Sequence, residues 1–135
     1  MAAVPVLNPP KAILWVDDEG ELLEPHRIFL RSKGYTVEWA SNADDAVELL
    51  RRRPFDILLL DEQMPGKRGL EVYRDVREIA PTLPVVMVTK SEEDSTLKEA
   101  IGANIRDYLV KPINPRQVLT VVTRILEGPR IRQQA

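Results

Sequence analysis

The sequence predicts one α/β domain in which a five-stranded parallel sheet carries helices on both faces, a doubly wound arrangement. Two observations lead there. Five short apolar or alternating runs take turns with five segments of helical periodicity, the order that builds parallel βαβ units and not hairpins. The run from Ile57 to Leu60 is apolar at every position between polar and turn-forming neighbours, as in a strand buried on both faces. With 135 residues, 44% of them hydrophobic and 30% charged, the chain suffices for one core and leaves no room for a second catalytic domain.

Residues 1–10 hold three prolines and no periodicity, so they read as a flexible lead-in. The domain proper spans 11–128, and 129–135 form a basic, polar tail or the start of a linker. Residues 11–16 make a compact apolar strand that ends in Asp17-Asp18-Glu19. Helical spacing over 21–33 puts Leu22, Leu23, His26, Phe29 and Leu30 on one broad face, and Gly34 stops it. Residues 35–39 alternate as a strand. Ser41 or Asn42 can cap the next helix, whose Ala43, Ala46, Val47 and Leu50 face a core before Pro54.

After the central strand, Met64-Pro65-Gly66 turns the chain into a helix over 69–80, closed by Pro81. Residues 84–88 form a buried strand that ends at Thr89-Lys90, and 94–101 a short helix stopped by Gly102. A fifth strand over 106–110 runs into Lys111-Pro112. Pro115 suits a helix start, and Val118, Leu119, Val122, Ile125 and Leu126 carry a final amphipathic helix to Glu127.

In a parallel sheet the strand ends share one edge, where open α/β sheets hold their ligands. That edge would gather Asp17, Asp18, Asp61, Thr89 and Lys111. Asp is also a common turn residue, so Asp61 alone could merely open the turn before Pro65. The full set fits phosphoryl transfer: hard oxygens for Mg²⁺, a carboxylate nucleophile, and a hydroxyl and an ammonium for phosphoryl oxygens. Such chemistry asks mainly for positioning and charge neutralisation.

The ordered pattern Val16-Asp17-Asp18-Glu19, Leu60-Asp61-Glu62-Gln63-Met64-Pro65-Gly66, Val88-Thr89 and Tyr108-Leu109-Val110-Lys111-Pro112 resembles the receiver domain of bacterial two-component response regulators, over about residues 11–127. The resemblance implies a flavodoxin-like (βα)5 fold with strand order 2-1-3-4-5. It implies that Asp61 accepts a phosphoryl group from the phosphohistidine of a sensor histidine kinase or phosphotransfer protein. Asp18, Asp61 and the backbone carbonyl of Gln63 would hold Mg²⁺, with Asp17 assisting through water. Thr89 and Lys111 would serve the phosphoryl group, Thr89 and Tyr108 would form a switch pair, and Lys111-Pro112 would be cis. A homodimer through the fourth helix, fifth strand and fifth helix and an output domain beyond the C-terminus are implied as well.

Two features depart from the family. Lys90 follows the switch Thr where a small residue is usual, and 102–108 is longer than the usual spacing to the aromatic position, which implies a short or displaced fourth helix. A narrower resemblance, in Trp15-Val16-Asp17-Asp18-Glu19, Glu24-Pro25-His26, Asp61-Glu62-Gln63-Met64-Pro65-Gly66, Thr89-Lys90-Ser91-Glu92-Glu93 and Lys111-Pro112-Ile113-Asn114-Pro115, is to receivers that precede an alkaline-phosphatase-like (PglZ-type) effector domain, a group linked to Bacteroidetes-type signalling including type IX secretion.

Composition narrows the function. No cysteine means no disulfide or thiolate metal site, which suits a reducing cytoplasm. A net charge of -2 gives no global pull toward nucleic acid or anionic lipid. No apolar run approaches the roughly 20 residues of a membrane span. Two other readings compete: a pseudo-receiver that only binds a partner, and a Mg²⁺-dependent aspartyl phosphohydrolase. Enzymes of the latter kind place a second Asp two residues after the nucleophile, and Gln63 stands there instead. His26 is expected to take a partly buried packing or hydrogen-bonding role, Trp15 to be core, and Arg51-Arg52-Arg53 to be a solvated helix end.

Overall fold

A computed structural model describes residues 10–64, 66–90 and 105–128. Strands β1 (Ala12–Val16), β2 (Thr36–Ala40), β3 (Ile57–Asp61), β4 (Val85–Thr89) and β5 (Ile105–Val110) form one parallel sheet in the order β2-β1-β3-β4-β5. This is the order that the resemblance implied, with β3 at the centre. Ile57 to Leu60 are all fully buried, as their unbroken apolar run requires.

Two cores lie on opposite faces of the sheet. Helices α2 (Ala43–Arg52) and α3 (Gly69–Ile79) cover one, where Ala46, Leu50, Val72 and Val76 meet Leu14, Leu58, Leu60 and Met87. Helix α1 (Glu24–Ser32) and the C-terminal helix (Pro115–Glu127) cover the other, where Leu30, Val118 and Val122 meet Ile13, Trp15, Leu59 and Val86. Each fully buried aliphatic side chain contributes about 1.5–3 kcal/mol, so the sheet is stabilised from both sides. Trp15 is core, as expected.

Side chains set the helix starts. Asn42, not Ser41, caps α2: its Oδ1 accepts the Asp45 N–H at 2.8 Å. The C-terminal helix opens on a capping box in which Asn114 and Gln117 each accept the other's backbone N–H, at 2.9 and 2.8 Å. Replacing Asn114 with Ala is expected to lower stability by about 1 kcal/mol, read as a shift of the urea midpoint without a change in slope.

Three expectations are corrected. The helix expected over 21–33 is broken: Gly20–Leu23 is a 3-10 turn, and the α-helix begins at Glu24, with Pro25 in its first turn. The tighter turn rotates Leu22 outward, to 71% exposure, away from the core face it was assigned. The turn after β3 is a small hairpin in which Gln63–Met64 pairs antiparallel with Lys67–Arg68. The second strand runs one residue later than predicted, leaving Trp39 37% exposed. The expected helix over 94–101, the lead-in over 1–9 and the tail over 129–135 lie outside the described residues. No helix among the described residues is long and apolar enough to cross a membrane.

Candidate functional site

The register brings the acidic residues together. Val16 of β1 lies beside Leu60 of β3, so Asp17 and Asp61 emerge side by side at the carboxyl edge. Asp61 is 2% exposed and Asp17 fully buried, whereas Asp18 and Glu19 face solvent. Gly69 lets α3 close behind this edge. Its N–H donates to the Glu62 carbonyl at 2.8 Å, and a Cβ there would fall 2.8 Å from Glu62 Cα and 3.1 Å from the Asp61 carbonyl oxygen.

Lys111 reaches this cluster from the end of β5. Its Nζ lies 3.2 Å from Asp17 Oδ2, 3.3 Å from Glu19 Oε1 and 3.5 Å from Asp61 Oδ2. Strand pairing holds the base of the side chain, because the Lys111 N–H donates to the Thr89 carbonyl at 2.7 Å. The Lys111-Pro112 peptide is cis, as the resemblance implied. Burial works to lower the ammonium pKa, but the charges of Asp17 and Asp61 outweigh it and hold Lys111 above its usual range.

Asp61 goes the other way. Burial first, and the Asp17 charge second, push its carboxyl up to about 6, against the lowering pull of the Gln63 N–H and of Lys111. The Gln63 N–H donates to Asp61 Oδ1 at 3.2 Å, which fixes one oxygen and leaves Oδ2 toward the ammonium.

The donor set fits a hard divalent cation. Asp17, Asp18 and Glu19 can bring one oxygen each within 4.8 Å of one another. Asp17 Oδ2 is buried, and its partner among the described residues is the Lys111 ammonium at 3.2 Å, held as an ion pair. One ammonium faces three carboxylates here, so a divalent cation bound at this edge would add charge compensation that Lys111 alone does not supply.

Thr89 is buried at the end of β4, and Tyr108 is half-buried one strand over. Met87 pairs with Tyr108 and Thr89 with Val110, and Tyr108 packs against the α2–α3 core. His26 behaves as expected: half-buried, with Nε2 2.6 Å from the Ile113 carbonyl and its ring edge-on to Trp15. Arg51, Arg52 and Arg53 are exposed, with Arg53 paired to Glu38 and over the Phe55 ring. Sequence reasoning gave no role to Glu19, Gly20, Arg27 or Trp39, all of which contact the acidic loop or its cation.

The profile described as "Response regulator receiver domain" matches residues 13–123. The chain belongs to the response regulator receiver domain family. It is 37% identical over 114 residues to the transcriptional regulatory protein ResD of Bacillus subtilis, and 40% identical over 115 residues to the alginate biosynthesis transcriptional regulatory protein AlgB of Pseudomonas putida. These matches cover 84% and 85% of the chain but only 47% and 26% of those longer proteins. Among solved structures, a CheY-like response regulator receiver domain protein from Methanospirillum hungatei superposes with TM-score 0.79 at 29% identity, covering 91% of this chain and 98% of that one. TrrA of Thermotoga maritima, in complex with Mg²⁺ and BeF, gives 0.76 at 28% identity, covering 86% and 99%. The receiver is a signalling domain of two-component response regulators and not an enzyme in the usual sense. Receiver domains bind Mg²⁺ at an acidic pocket, and their regulators work with sensor kinases or phosphotransfer proteins and often carry output domains.

Proposed function

We propose that Asp61 is the phosphoacceptor of this receiver. The observation that carries the reading is a buried carboxylate at the end of the central strand, faced by one ammonium and an acidic loop. With its carboxyl near 6 before any cation binds, Asp61 is mostly ionised at neutral pH and available as a nucleophile. One of its oxygens forms the bond to phosphorus as the bond from phosphorus to the donor's imidazole nitrogen breaks, and the electron pair leaves with that nitrogen.

Asp17, Asp18, Asp61 and the Gln63 carbonyl are the ligand set proposed for Mg²⁺, Asp17 through water. Bound there, Mg²⁺ supplies neutralising charge to the carboxylates and to the phosphoryl oxygens. Lys111 places its ammonium on a phosphoryl oxygen, and the Thr89 hydroxyl donates to another. Thr89 and Tyr108 act as the switch pair on adjacent strands. Addition of nearly two negative charges biases an equilibrium between inactive and active forms of the domain.

A groove of about 360 Å³ beside Lys111, bounded by Leu22, Leu23, His26, Pro112 and Ile113, gives the outward turn of Leu22 a use as part of the face offered to the phosphodonor protein. The reading further takes the domain to be cytoplasmic, to pair with a second copy through the fourth predicted helix, β5 and the C-terminal helix, and to control an output domain, of PglZ type on the narrower resemblance.

The test is the intact mass after incubation with acetyl phosphate and Mg²⁺, with and without EDTA, and size-exclusion chromatography of each sample. One added phosphoryl group that requires the metal is expected, with earlier elution if phosphorylation drives pairing. No gain, in folded protein that binds Mg²⁺ and beryllofluoride, would leave acetyl phosphate unable to serve as donor. No gain and no beryllofluoride binding would overturn the reading in favour of a pseudo-receiver.

A further inference from the structure

We propose that Trp39 and Arg27 are positioning residues for the acidic loop, setting its affinity for Mg²⁺; the inference rests on the Mg²⁺ reading above. Both backbone polar groups of Asp17 are held by the end of β2. Its N–H donates to the Ala40 carbonyl at 3.1 Å, and its carbonyl accepts the Trp39 indole N–H at 2.6 Å. Three residues on, the Gly20 carbonyl accepts Arg27 Nη1 at 2.7 Å. The loop from Asp17 to Gly20 is therefore gripped at both ends.

The two grips form one assembly. Arg27 is only 6% exposed; its guanidinium lies 5.0 Å from the centre of the Trp39 ring and is paired with Glu24. Gly20 lies against the indole so closely that a Cβ there would fall 1.9 Å from Trp39 Cε2 and Cζ2. Only glycine lets the ring sit over the loop while its N–H reaches Asp17. The part-buried indole has a polar edge that needs a partner, and this hydrogen bond together with the cation over its face fixes where at the strand end the ring sits.

The consequence falls on the carboxylates. Glu19 N–H donates to Asp17 Oδ1 at 2.7 Å, which leaves Oδ2 as the oxygen paired with the Lys111 ammonium at 3.2 Å. That orientation depends on where the Asp17 backbone and the following turn are fixed. Groups that orient metal ligands from behind typically change affinity or activity by about 10-fold to 100-fold when removed.

Three variants test this in the full chain. Trp39→Phe keeps a ring over Arg27 and Gly20 but removes the donor. Gly20→Ala keeps every polar group but evicts the ring. Arg27→Met keeps the bulk of the buried stem and releases Gly20. Calorimetric titration with Mg²⁺ is expected to show about 10-fold weaker binding in each, with melting temperatures well above the assay temperature. Acetyl phosphate labelling is expected to be restored at saturating Mg²⁺, the split of a metal-affinity defect. Mg²⁺ affinity within twofold of the parent in folded Trp39→Phe and Gly20→Ala would overturn the proposal, as would labelling that saturating Mg²⁺ does not restore. Should one variant not fold, the others carry the test. Failure of the parent chain to bind Mg²⁺ would instead count against the reading of the site itself.

Discussion

Asp61→Asn is expected to lose all metal-dependent phosphoryl uptake and, at the same time, to gain about 3 kcal/mol of stability at neutral pH. The first effect removes the nucleophile. The second follows from the pKa, which burial and Asp17 raise from 3.8 to about 6 in the fold. Between those values the unfolded chain has released the Asp61 proton and the folded chain still holds it. Stability contributed by this residue is therefore full below about pH 4, falls as pH rises to about 6, and stays low above. Asn carries no charge to bury, so the variant's advantage should appear at pH 7 and vanish near pH 4. Urea midpoints at both values, without Mg²⁺, check it. Equal midpoint differences at the two pH values would contradict the argument, and persistent labelling of the variant would move the acceptor elsewhere.

Lys111→Ala is expected to destabilise the metal-free domain by about 3 kcal/mol at pH 8, because removing one partner leaves buried charge uncompensated. Among the described residues, Asp17, Glu19 and Asp61 have no other cation within ion-pair distance. Loss of the ammonium pushes the Asp61 pKa higher still, so the deficit should shrink as pH falls and the carboxyl takes up its proton. In the Asp61→Asn background the same change should cost less, and the difference measures the coupling. Phosphoryl uptake is expected to persist at a reduced level while the conformational response is lost, which mass spectrometry and hydrogen exchange over β4 and β5 would separate. An unchanged exchange response to phosphorylation would remove Lys111 from the switch.

Much of this site is legible in the sequence because strand ends are. An apolar run such as Ile57 to Leu60 has one comfortable environment, and the polar residue that follows it must emerge at the sheet edge. The same logic delivers Asp17, Thr89 and Lys111, and the periodicity of Ala46, Leu50, Val72 and Val76 delivers the faces above and below. What the sequence does not show are contacts decided by geometry between elements. Leu22 has the right spacing for a core position but sits in a 3-10 turn ahead of Pro25, where helical spacing no longer predicts direction. Trp39 continues an alternating strand, yet its role comes from a glycine 19 residues earlier that has no room for a side chain. Nothing in the run Asp17-Asp18-Glu19 says which carboxylate turns inward; the burial of Asp17 and exposure of Asp18 are set by how the loop leaves β1.

The distances along the chain between the partners of Lys111 have a final consequence. Its ammonium meets Asp61 from 50 residues away and Glu19 from 92, and Asp17 meets Asp61 only once β1 and β3 lie side by side. No fragment of the chain short of the assembled sheet brings these groups together. On the proposed reading, competence to take up a phosphoryl group thus belongs to the assembled sheet, and partly folded chains are expected to take up none. On that reading the labelled fraction of a preparation sets a lower bound on its share of native molecules.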